Sequence, residues 1–125
     1  MTGLTLDAGA LIAVDRGHPV MADHLLDNRR RGRTLSVPAA VLAQVWRDGA
    51  RQARLRMFLR VYKPEIVALD RREAESAGLV CARAGTADVV DASVVVCALR
   101  RGHAVVTSDP GDIGKLAPGL PLLTV

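Results

Sequence analysis

Apolar positions recur along this chain in two alternating patterns, short runs of three to five residues and longer stripes spaced three and four apart, so strands and helices are expected to alternate. Leu4-Thr5-Leu6 opens the pattern as a strand over residues 3–7, followed at once by a helix over residues 8–16. A second helix is predicted over residues 19–31, with Pro19 in its first turn and Gly32 after its end. Thr34-Leu35-Ser36-Val37 reads as the next strand, and Pro38 opens a helix carrying Val41, Leu42, Val45 and Trp46 on one face. Leu55, Phe58, Leu59 and Tyr62 stripe a helix over residues 50–62, which Pro64 stops.

Residues 65–69 form a third predicted strand, and Asp70 with Glu73 three positions on makes the capping-box pattern of a helix that Gly85 closes. Residues 88–101 are apolar on nearly all sides beyond their first turn, so this helix should be the most deeply packed. A strand over 104–107, a short helix over 110–116 and a strand over 122–125 complete the order. Such alternation implies right-handed crossovers and an α/β fold: a mainly parallel sheet of four to five strands flanked by helices. No repeat, linker or low-complexity segment divides the sequence, so residues 1–125 are expected to be one domain.

Composition changes this picture little. Half of the residues are apolar but only Trp46, Phe58 and Tyr62 are aromatic, so the core must be aliphatic. Cys81 and Cys97 both fall in apolar helical stretches and read as packing residues, which fits a reducing compartment. With no signal-peptide pattern and no long uncharged run, a soluble cytoplasmic protein without a membrane contact is expected. The net charge is +4, and of 17 basic residues only Lys63 and Lys115 are lysine.

Against that basic background the aspartates gather at three turns. Asp7 ends the first strand, Asp109 follows the fourth, and Asp88 and Asp91 open the buried helix; Asp112 lies one turn beyond Asp109. Each has a plain structural reading, because Asp7, Asp88 and Asp109 are natural N-caps and Asp91 favours the positive end of a helix dipole. Jointly they suggest more. Parallel strands bring Asp7 and Asp109 to one sheet edge, where ligands bind in open α/β folds, and converging carboxylates repel unless a hard cation such as Mg²⁺ or Mn²⁺ sits among them. Such a centre suits phosphodiester cleavage. His18, His24 and His103 show no zinc spacing, and the chain has neither a P-loop nor a G-x-S-x-G motif.

Strand-Asp7, Val41-Leu42-Ala43-Gln44-Val45-Trp46, Asp88-Val89-Val90-Asp91-Ala92 and Val106-Thr107-Ser108-Asp109-Pro110-Gly111-Asp112 occur in an order that resembles the PIN-domain ribonucleases, in particular the VapC-type toxins of bacterial toxin–antitoxin pairs. The resemblance covers essentially the whole chain. It implies a PIN-like single domain with metal-dependent endoribonuclease activity, inhibition of translation, a homodimer and neutralisation by a small antitoxin. It also implies catalytic positions Asp7, Gln44, Asp91 and Asp109, with metal held by Asp7, Asp91 and Asp109 and secondarily by Asp88 and Asp112.

Gln44 departs from the family pattern, which has a glutamate there. An amide accepts a hydrogen bond but brings no charge, so three readings stand: a natural variation, a weakened nuclease, or a substitution that disarms a toxic protein. A catalytically silent module that binds antitoxin or RNA is the corresponding alternative function. Arg47, Arg51 and Arg54 follow i, i+4, i+7 spacing and form one predicted stripe, either a solvated face or a surface for RNA phosphate or an acidic antitoxin. Thr107 is a further candidate contact there. A receiver domain also clusters aspartates at strand ends, but Leu6 precedes Asp7 where a second acid is needed and no lysine follows residue 115. A haloacid-dehalogenase phosphatase needs an aspartate where this chain has Gly9.

Overall fold

The computed structural model describes residues 1–125 and contains five strands and seven helices in the order β1(Gly3–Leu6), α1(Ala8–Asp15), α2(Pro19–Arg30), β2(Thr34–Pro38), α3(Ala39–Val45), α4(Ala53–Tyr62), β3(Glu65–Val67), α5(Arg71–Ala84), α6(Val89–Arg101), β4(Ala104–Thr107), α7(Pro110–Leu116) and β5(Leu122–Thr124). All strands pair in parallel, in the spatial order β3-β2-β1-β4-β5. The expected class and strand number are borne out.

Strand order and crossover hand together locate the crevice. The connections from β1 to β2 and from β2 to β3 step in one direction, so right-handed crossovers place α1 to α4 on one face. The connection from β3 to β4 steps back across β1, placing α5 and α6 on the other. The order therefore reverses between β1 and β4, whose register aligns Leu4 with Ala104 and Leu6 with Val106. At such a switch point the flanking helices diverge beyond the carboxyl ends of the strands and leave room for a ligand.

The core is as aliphatic as the composition requires. Leu4 and Leu6 of β1, Val37 of β2, and Val105 and Val106 of β4 are buried against Leu11, Met21, Val41, Leu55, Val94 and Val95 from the helices. Each such leucine or valine contributes about 1.5–3 kcal/mol by leaving water. Seven successive residues of α6, Ala92 to Ala98, are buried, which accords with its apolar sequence. Between α5 and α6 the contact is made by Ala77, Cys81, Ala92 and Val96, small side chains that let the two helices approach closely. Both cysteines are free and buried.

Several boundaries move for local reasons. β3 ends at Val67 and not at residue 69, because its partner Pro38 is the last residue of β2 and the chain turns there into α3. α4 starts at Ala53, three residues later than the apolar stripe suggests. The segment 46–52 is instead a loop wound around Gln52, whose Oε1 accepts from the N–H groups of Arg47 (2.9 Å) and Asp48 (3.1 Å) while its amide donates to the Val45 carbonyl (3.0 Å). Asp48 tightens the loop further by accepting from the Ala50 N–H at 3.0 Å. No helix is long and apolar enough to cross a membrane.

At the amino edge of the sheet, opposite the crevice, a buried His103 is held between two hydroxyls, Thr5 Oγ1 at 3.0 Å and Thr34 Oγ1 at 2.7 Å. Burial, then the nearby Arg101 charge, holds its pKa below the ordinary histidine value, so the ring is neutral at pH 7.

Candidate functional site

Three helix starts carry the aspartates to the switch-point crevice, and in each one cap geometry fixes a carboxylate. Asp7 Oδ1 accepts from the Ala10 N–H at 2.8 Å, Asp88 Oδ1 from the Asp91 N–H at 3.0 Å, and Asp109 Oδ1 from the Asp112 N–H at 3.2 Å. The structural reading of these residues is thus correct. It does not exhaust them, because in each hydrogen bond the cap uses one oxygen, Oδ1, and the carboxylate retains its charge and a second oxygen. Asp91 and Asp112 sit in the first turns of α6 and α7 and cap nothing.

Electrostatics shows that these groups face one another. Asp7 is buried, with 5% of its surface exposed. Its pKa lies above the ordinary aspartate value chiefly through burial, with the Asp109 charge adding to the rise and the Thr107 hydroxyl and Ala10 N–H opposing it. Asp91 is pushed up to about 6, again first by burial and then by the charges of Asp88, Asp7 and Asp112. Five carboxylates therefore share one field. No three of the acidic, histidine and cysteine side chains stand close enough to form a ready-made metal cage.

Two features of the crevice escape a reading of motifs. Ser108 lies directly over Gly9, where an added Cβ would come within 1.9 Å of its Oγ and 2.9 Å of its Cβ. Only glycine lets the start of α1 approach the turn after β4, and with it Asp7 approach Asp109. The second feature is Lys115, which lines a cavity of about 180 Å³ with Thr86, Asp88, Asp91 and Asp112. Its position one turn after Asp112, in a chain that otherwise uses arginine, was the available signal.

The remaining expected residues divide. Gln44 is exposed on α3 and no hydrogen bond ties it to Asp7, Asp91 or Asp109. The stripe of Arg47, Arg51 and Arg54 does not exist, since the first two lie in the Gln52-centred loop and only Arg54 is on α4. Arg47 donates to the carbonyls of Ala43 (2.9 Å) and Trp46 (2.7 Å), closing the end of α3, and Arg51 pairs with Asp48 at 3.6 Å. Arg54 instead borders an apolar cleft of about 270 Å³ that includes Met21, Leu25, Phe58 and Val61. Thr107 is fully buried and its hydroxyl accepts from the Asp109 N–H at 2.9 Å, so it shapes the turn and has no surface to offer RNA or a partner.

No protein-family model and no curated protein sequence matches this chain. Solved structures do. VapBC2 from Rickettsia felis, bound to a DNA fragment from its promoter, contains a chain with a TM-score of 0.73 and 16% identity, covering 98% of both chains. FitAB bound to an IR36 DNA fragment gives 0.63 at 14% identity, covering 97% of this chain and 94% of that one. FitAcB from Neisseria gonorrhoeae gives 0.60 at 15%, covering 96% of each. At such identities the likeness is one of fold: the chain has the PIN-like fold.

Proposed function

We propose that this protein is a metal-dependent endoribonuclease of the VapC toxin type, acting in the cytoplasm as a homodimer and neutralised by a small antitoxin. The observation that carries the reading is the convergence of Asp7, Asp91, Asp109, Asp88 and Asp112 at the switch-point crevice, where burial first and neighbouring carboxylate charge second raise the pKa values of Asp7 and Asp91. Oxygen donors with surplus negative charge favour hard cations such as Mg²⁺ or Mn²⁺. Asp7, Asp91 and Asp109 would hold the ion, with Asp88 and Asp112 at its margin.

A bound divalent ion supplies charge to the phosphate and makes a water more acidic. The chain's own groups do the rest. Caps on Asp7 and Asp109 hold each carboxylate rigid, so little ordering is left for the moment of reaction. Asp91, its pKa raised to about 6 in the metal-free chain, would be held ionised by the charge of a bound cation and so serves as its ligand. Lys115 offers an ammonium to a phosphate oxygen at the mouth of the crevice. For the antitoxin, the apolar cleft beside Arg54 offers a hydrophobic surface with a cation at its rim, and the occurrence of this fold in the VapBC2 and FitAB assemblies supports a protein partner.

A second reading, a binding module without catalysis, is favoured by one observation: Gln44 brings no carboxylate and makes no bond to the acidic group. Incubating the chain with structured RNA in Mn²⁺, in Mg²⁺ and in EDTA separates the two. Cleavage that needs metal and vanishes in Asp7→Asn and Asp91→Asn is expected; RNA retained uncut in all three conditions would establish the silent module.

A further inference from the structure

The amino edge of the sheet, away from the acidic crevice, carries a second cavity of about 510 Å³ between the ends of α2 and α4, and its lining includes Asn28, Arg29, Arg33, Tyr62, Lys63 and Glu65. We propose that it is a binding site for a single nucleotide unit, with the phosphate on Arg29, Arg33 and Lys63 and the nucleoside filling the rest of the cavity. This volume is in the range of small-molecule sites.

Three observations converge there. Arg29, Arg33 and Lys63 have no carboxylate at ion-pair distance, and the one acid of the cavity, Glu65, is taken by Arg101 at 2.8 Å. A helix dipole accounts for Arg29 in the last turn of α2 and for Lys63 at the C-cap of α4, but Arg33 lies beyond both helices. The Arg29 guanidinium is held over the Tyr62 ring, 5.4 Å from its centroid, a cation–π contact that leaves its N–H groups for a phosphate.

Lys63 is the only non-glycine residue with a positive φ, 46°, at a helix end where glycine is the unstrained choice. Keeping lysine there costs conformational energy and supplies a cation. Asn28 is 4% exposed and ties the end of α2 to β2 by donating its amide N–H groups to the carbonyls of Thr34 (3.1 Å) and Arg33 (3.4 Å), which fixes the wall of the cavity.

The nucleotide can be free or part of an RNA strand, and calorimetric titration of the full chain with AMP, adenosine, inorganic phosphate and a short oligoadenylate separates these sources. Saturable binding of AMP is expected, with adenosine and phosphate each about tenfold weaker for the loss of one set of contacts. Oligoadenylate binding without AMP binding would assign the unit to RNA.

Lys63→Gly is the decisive variant. It relieves the strained φ, so the Tm should rise while AMP affinity falls about tenfold. Arg33→Gln should weaken binding similarly without altering the fold. No saturable binding of AMP or oligoadenylate overturns the proposal, as does Lys63→Gly raising the Tm with affinity unchanged. Because the cavity lies at the opposite edge, Asp7→Asn should leave AMP binding intact, which keeps this result separate from the fate of the nuclease reading.

Discussion

Asp91 is where the chemistry of the crevice can be read most directly. Its folded pKa of about 6 exceeds the ordinary aspartate value, so between those two values the native state binds the proton more tightly than the unfolded chain. Stability from this group is therefore present at low pH and lost as pH rises through about 6. Asp91→Asn removes the ionisable group, and in metal-free buffer its Tm should exceed that of the parent at pH 7.5 and converge on it near pH 5; a constant gap measured by calorimetry would contradict the repulsion. His103 has the opposite linkage. Its lowered pKa favours the fold at neutral pH and is lost in acid, but it is common to both proteins and cancels in the comparison. Asp88 should behave as a cap, with Asp88→Ala costing about 1 kcal/mol of stability in urea unfolding and sparing most of the Mn²⁺ affinity.

Elements explain which features the sequence made legible. Pro19, the Asp70 cap bonded to the Glu73 N–H at 2.9 Å, and the left-handed Gly85 at the end of α5 are all local signals, and the structure honours them. The aspartate positions were legible for the same reason, since a cap lies within three residues of what it caps. The arginine stripe failed because periodicity says nothing of Gln52, a polar side chain whose bonds to Arg47, Asp48 and Val45 hold residues 46–52 out of the helix. Gln52→Ala should release that loop at a cost of about 1–3 kcal/mol for the backbone groups left unpaired, read by urea unfolding. The approach of α1 to the β4 turn was hidden too, because Gly9 and Ser108 are far apart in the chain. Gly9→Ala, ordinarily favourable within a helix, should here cost about 1–3 kcal/mol by overpacking and lessen the response to Mn²⁺; Gly9→Ala with Ser108→Gly should recover both.

At the scale of the whole molecule, an ion that binds only the folded state adds RT ln(1 + [L]/Kd), about 2.7 kcal/mol at a hundredfold excess over Kd. Mn²⁺ should thus raise the Tm, and more at pH 7.5 than at pH 5.5, where Asp91 holds its proton; a melting temperature indifferent to Mn²⁺ at both values would refute the metal centre. The strand order has a consequence in time as well as in space. β1 is the central strand, yet its partner β4 is synthesised about a hundred residues later, and such distant pairing is slow to form. Asp7 emerges from the ribosome early, on a strand lacking one of its two neighbours, whereas Asp109 and Asp112 arrive only with the turn after β4. A translating ribosome is therefore never exposed to an assembled crevice on the half-made chain it carries, and a transcript cut short before β4 yields a product without one.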